Sequence, residues 1–129
     1  MIDLLVDTDP GLFVPALDVD DDLAIAFLVG SGRVRLAGLT TTFGNTLESL
    51  AFRDARRLLG ILGLFSVPIA RGAGFLTPRG GSAATAASRF LAARVREEPG
   101  RYTLLALGPL GNVAAAFRGE PDLARALAG

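Results

Sequence analysis

Short apolar runs alternate with helical stretches along this whole chain, and few folds accept that order. Ile2–Val6, Val34–Thr42, Val67–Ala70 and Tyr102–Leu107 are aliphatic and β-branched, and each is followed within two residues by Gly or Asp, as strands ending in turns are. Between them the residues read as helices. Asp20–Val29 starts on carboxylates, which suit the positive end of a helix dipole, and stops at Gly30 and Gly32. A second helix, capped by Asn45 or Thr46, runs to about Leu62 with apolar residues recurring at three and four. Ser82–Arg96 is an Ala-rich third, Val113–Phe117 a fourth, and Pro121–Leu127 one more short turn of helix. Leu12–Asp18 and the Gly-rich Arg71–Gly81 are loops. The order βαβαβαβα predicts an α/β fold, a parallel Rossmann-like sheet with helices on both faces and right-handed crossovers. Its strand order is expected to be 3-2-1-4, which opens a ligand crevice between the carboxyl ends of strands 1 and 4.

The 129 residues show no internal repeat or linker, so residues 1–129 are read as one unit. Half the chain is hydrophobic, enough for a buried core. Thirteen basic residues balance thirteen acidic ones, which argues against a nucleic-acid partner bound through its phosphates. The longest uncharged stretches, Leu58–Ala70 and Tyr102–Phe117, contain Gly and Pro and are shorter than the ~20 residues of a membrane span, so no membrane partner is expected. Asp3 and Asp7 stand where a signal peptide carries basic residues, and Cys is absent; a cytoplasmic protein is expected.

The balanced charge hides an asymmetry. Seven of the nine Asp lie in the first 22 residues, while the first basic residue is Arg33. These carboxylates sit between apolar runs instead of in a solvated tail, so they repel one another unless a cation joins them. A hard divalent ion held by oxygen ligands answers this economically. A phosphoryl-transfer site built on Asp7-Thr8-Asp9, like the DxD signature of haloacid-dehalogenase-type phosphatases, would need a downstream basic residue and a second acidic pair. The downstream basic residues are all Arg, with no Lys among them, and no Asp pair follows Asp22. A dinucleotide site fails too, because no G-x-G-x-x-G follows strand 1.

Five blocks in order carry a family resemblance: Asp7-Thr8-Asp9-Pro10-Gly11, Asp18-Val19-Asp20-Asp21-Asp22-Leu23-Ala24-Ile25, Leu39-Thr40-Thr41-Thr42-Phe43-Gly44-Asn45, Val67-Pro68-Ile69-Ala70, and Leu104 to Asn112. Together they resemble the N-terminal part of the inosine-uridine preferring nucleoside hydrolases. The resemblance implies hydrolysis of the N-glycosidic bond of a ribonucleoside to free base and ribose, assisted by Ca²⁺; with no His in the chain and only the N-terminal part of the family pattern present, turnover is expected to be impaired. It implies Asp9 as metal ligand and general base, and Asp21 as a further ligand. Asp22 stands as the alternate for Asp21, because Leu12–Leu17 lengthens the spacing. Asp20 and Asn45 resemble ribose contacts, and Leu107 the residue that offers its backbone carbonyl to the metal. The rival expectation, from another class, is a catalytically silent homologue serving as a binding or assembly module.

The remaining polar residues have simpler expected roles. Asp7 supports the turn or the site from behind, Asp18 caps a helix or is solvated, and Asn112 caps the fourth helix. Thr40–Thr42 reflect strand propensity, and Arg53, Arg56 and Arg57 form a solvated face. A fourth strand left at the sheet edge predicts a homo-oligomer.

Overall fold

The computed structural model describes residues 1–78 and 83–128. Strands β1 (Ile2–Thr8), β2 (Val34–Thr41), β3 (Ile69–Ala70) and β4 (Tyr102–Ala106) alternate with helices α1 (Asp20–Gly30), α2 (Glu48–Ile61), α3 (Ala86–Glu97) and α4 (Gly111–Gly119). A 3-10 turn at Leu123–Ala126 follows. All strand pairs are parallel and the order is β3-β2-β1-β4, as the alternation predicts.

The period of two along β1 assigns the layers. Leu4 and Val6 face one way and pack with Ile25 of α1 and with Ala55, Leu58 and Leu59 of α2. Leu5 faces the other way, onto Leu91 and Val95 of α3 and Val113 and Ala116 of α4. Both faces of the sheet are thus covered, which is why the central strands read as unbroken apolar runs. The sheet and α3 approach closely at Gly38, where a Cβ would stand 2.6 Å from Phe90 Cζ.

β1 reaches Thr8 because polar residues continue its ladder: Thr8 pairs with Thr41, and its carbonyl accepts the Thr42 amide at 3.0 Å. β1 therefore carries Asp7 and Thr8 inside the sheet instead of in a turn. Three expectations change at helix ends. α2 starts at Glu48 with Leu47 as an extended cap residue and no side-chain cap, since the Asn45 and Thr46 backbones are taken up in the preceding turn. α3 starts at Ala86 behind a reciprocal Thr85–Ser88 capping box, so its sequence-read onset was too early; Ser82 itself, like residues 79–81 of the preceding loop, lies outside the described residues. α4 starts at Gly111, which puts Asn112 inside the helix, and Pro121–Leu127 holds a 3-10 turn, not an α-helix. No helix among the described residues is long and apolar enough to cross a membrane.

Candidate active site at the carboxyl end of the central strand

Alternation continues past the apolar part of β1 and sends Asp7 toward α4 and Thr8 toward α1. Asp7 is fully buried; its Oδ1 accepts from Thr40 Oγ1 at 2.5 Å and from Asn112 Nδ2 at 2.9 Å, while Oδ2 has no partner. Burial raises its pKa to about 6, against those two hydrogen bonds, with Asp9 and Asp21 adding repulsion. Thr8 Oγ1 donates to Asp21 Oδ2 at 2.5 Å, and the Asp9 amide donates to the same oxygen at 3.0 Å. Asp21, in the first turn of α1, is thereby tied to the end of β1.

Asp9 follows β1 and is also buried. Its Oδ2 accepts the Asn45 amide at 2.6 Å. Burial pushes its pKa up to about 6 despite that hydrogen bond, and the neighbouring Asp21 pushes in the same direction. Two glycines let backbone close around this carboxylate. A Cβ on Gly44 would collide with Asp9 Oδ2 and Pro109, and one on Gly108 would stand 3.2 Å from Asp9 Oδ1 and 2.8 Å from Thr42 Cγ2. Beside Asp9, past Thr42 and Pro109, opens a largely apolar cleft of about 390 Å³, where Phe43 and Phe75 meet edge-on with centroids 5.2 Å apart.

The other residues singled out in the sequence gather around this centre. Asp20 is exposed at the first residue of α1. The Asn45 side chain pairs reciprocally with the Asp18 backbone, donating to its carbonyl at 2.8 Å and accepting its amide at 3.3 Å. Asp18 is thus held by its backbone and does not cap α1, whose cap residue is Val19. Leu107 follows β4, and its amide donates to the Asp7 carbonyl at 2.8 Å. Asp22 instead accepts the Gly11 and Leu12 amides, both at 3.1 Å.

Several polar residues do more than the sequence suggested. Asn112 is fully buried and uses every hydrogen-bonding position of its amide. It donates to Asp7 Oδ1 and the Thr41 carbonyl and accepts from the Ala73 amide and Thr85 Oγ1, all at 2.9 to 3.0 Å. The Thr40 and Thr41 hydroxyls bind Asp7 and Glu48, beyond any strand preference. Arg53, Arg56 and Arg57 are exposed as expected, although Arg57 also stacks over Phe13 at 4.2 Å. Buried Glu48 and Asp54 were missed. Both fall at helical spacing from Ala51 and Leu58, so a carboxylate on the apolar stripe of α2 was the available signal.

The acidic centre suits a cation in its chemistry. Asp9 and Asp21 each spend Oδ2 on hydrogen bonds and keep Oδ1 outside them. Neither pairs with a basic side chain among the described residues, where salt bridges fall elsewhere. Among the described residues no group of three or more His, Asp or Glu converges there as a ready-made cage. Two carboxylates with free oxygens suit a hard cation in their chemistry, with its other positions left to backbone, water or substrate oxygens.

A four-stranded parallel sheet with buried carboxylates at the end of its central strand, beside an apolar cleft, defines an α/β protein with its acidic centre at the topological switch point, where folds of this class bind ligands. The chain belongs to the inosine-uridine preferring nucleoside hydrolase family, whose model matches residues 4–129. It is 33% identical to uridine nucleosidase 1 of Arabidopsis thaliana over 94% of this chain and 41% of that protein. It is 31% identical to probable uridine nucleosidase 2 of the same plant over 95% of this chain and 44% of that protein. A solved plant nucleoside hydrolase superposes with a TM-score of 0.80 at 28% identity, covering 98% of this chain and 46% of the other. An inosine-guanosine nucleoside hydrolase does so with a TM-score of 0.75 at 28% identity, covering 97% and 45%. The chain thus spans less than half the length of these relatives. The two plant alignments run over 147 and 145 positions, more than the 129 residues here, so those proteins carry residues inside the matched span that this chain lacks.

Proposed function

We propose that this chain carries the general-base side of a ribonucleoside hydrolase centre, cleaving the N-glycosidic bond to free base and ribose with Ca²⁺ bound by Asp9, Asp21 and the Leu107 carbonyl. The observation that carries this reading is the buried Asp9 carboxylate, held by one backbone amide and raised to about 6, which at neutral pH is ionised and able to take a proton. A bound divalent ion would make its water more acidic. Asp9 would accept the water's proton as the water oxygen bonds to the anomeric carbon and the glycosidic C–N bond breaks, the base leaving with that electron pair and taking its proton from solvent, while the surrounding carboxylates would favour the positive charge that develops on the sugar. Asp20 and Asn45 would grip ribose hydroxyls, for which the Asn45 amide exchanges its bonds to Asp18. The neighbouring apolar cleft, of about 390 Å³, would take the planar base.

The test is ribose release. The purified chain with Ca²⁺ should release ribose from uridine or inosine and lose that release with a chelator. No release above background from either nucleoside would overturn the reading in favour of a silent binding module.

Self-association belongs to the same proposal. β4 has β1 on one side and, apart from the Ala128 amide on the Tyr102 carbonyl, leaves backbone groups of its other edge unpaired among the described residues. Such an edge promotes pairing between chains. Light scattering should report a dimer or larger species; a clean monomer at high micromolar concentration would count against it.

A further inference from the structure

Two buried carboxylates, Asp22 of α1 and Asp54 of α2, lie outside the chemistry above, and both are 1% exposed. Each spends one oxygen on backbone amides of the turn that follows Asp9. Asp22 Oδ2 accepts from Gly11 and Leu12, and Asp54 Oδ2 accepts from Phe13, all at 3.1 Å. Each leaves Oδ1 buried without a partner. Burying two carboxylates with orphaned oxygens, near enough to repel, is costly, and a core-facing position on α2 would ordinarily be apolar. What the pair obtains is a grip on three consecutive amides that no ladder satisfies. Phe13 is held on its outer side by Arg57 and packs against the α1/α2 core.

We propose that Asp22 and Asp54 act as one clamp on the Gly11–Phe13 turn and that, through it, they position Asp9. This rests on the assignment of Asp9 above, but the clamp can be read without any turnover. Asp9 is linked to its surroundings by two amides, its own on Asp21 and that of Asn45 on its carboxylate. A clamp that merely folded a loop would protect Gly11, Leu12 and Phe13 alone. A positioning clamp also protects the amides of Asp9 and Asn45.

Hydrogen exchange of the metal-free chain decides between them. In Asp22→Ala and Asp54→Ala, exchange should accelerate at residues 11–13 and also at Asp9 and Asn45. Asp54→Asn should stay close to the parent, because its amide oxygen keeps the Phe13 bond while its nitrogen is a donor for an orphaned oxygen. In calorimetry the alanine variants should bind Ca²⁺ about 10- to 100-fold more weakly, as loss of an outer-shell partner does. Acceleration confined to residues 11–13, or none there, overturns the clamp. If the parent binds no Ca²⁺, the ion in the proposed function fails, and hydrogen exchange still decides the clamp. Should the alanine variants not fold, Asp54→Ser, which shortens the acceptor, is read in the same way.

Discussion

Asp9→Asn is expected to lower ribose release by about 10²- to 10⁴-fold, the usual worth of a positioned proton acceptor, while the protein stays folded. The substitution preserves shape, and the amide oxygen can still accept the Asn45 N–H that reaches Asp9 Oδ2 at 2.6 Å. It removes a charge from a buried site where carboxylates repel, so melting should be unchanged or slightly higher. Loss of activity with retained stability separates a chemical role from a structural one. The leaving group supplies a second readout. The chain contains no His, so no imidazolium can protonate a departing base. A nitrophenyl riboside, whose leaving group needs no proton, should therefore be cleaved faster than inosine by the parent, and Asp9→Asn should depress both. A variant as active as the parent would remove Asp9 from the reaction.

How far this centre could be read from the chain depends on the range of the interaction. β1 was legible because its apolar residues sit together and its neighbours repeat the pattern, and the acidic residues at its end followed from the same reading. The pairing of Asp9 with Asp21 spans a sequence separation of 12, and the loop-lengthened spacing leaves Asp22 as an alternate. The structure separates them by their partners: Asp21 accepts from Thr8 Oγ1 and the Asp9 amide, Asp22 from the Gly11 and Leu12 amides. Asn112 was illegible for a different reason. Two residues of difference in where α4 begins move it from a cap to an interior position, and its partners Asp7 and Thr41 lie 105 and 71 residues away. Local patterns carry no information about such partners. Asp54 was hidden by the habit of reading a helix stripe through its apolar members, although a carboxylate among them is the sign that something polar must meet it.

Without metal the chain should be more stable at pH 5 than at pH 7.5, and Ca²⁺ should reverse much of that loss. Asp7 carries the argument because it is fully buried and its pKa is raised from 3.8 to about 6. A group whose folded-state pKa lies above its unfolded value binds its proton more tightly when folded. Its stability contribution is therefore complete at low pH and falls as pH climbs from about 4 through 6. A rise from 3.8 to about 6 corresponds to roughly 3 kcal/mol over the whole range, of which about half, on the order of 5 °C in Tm for a domain of this size, falls between pH 5 and 7.5. Asp9 shifts in the same direction for the same cause, and Asp22 does so under burial. Asp3 runs oppositely, since Arg35 and Arg101 hold its carboxyl well below the usual range. Its contribution is lost only in strong acid, which leaves the maximum near pH 4 to 5. A divalent ion at Asp9 and Asp21 offsets the repulsion felt by all these groups, and at a hundredfold excess over its dissociation constant adds about 2.7 kcal/mol. Calorimetric melts in chelator should thus show Tm falling from pH 5 to 7.5, and melts in Ca²⁺ should show a higher and flatter profile. A profile already flat in chelator would mean that Asp7 is not buried as described. A Tm indifferent to Ca²⁺ at pH 7.5 would remove the ion from Asp9 and Asp21.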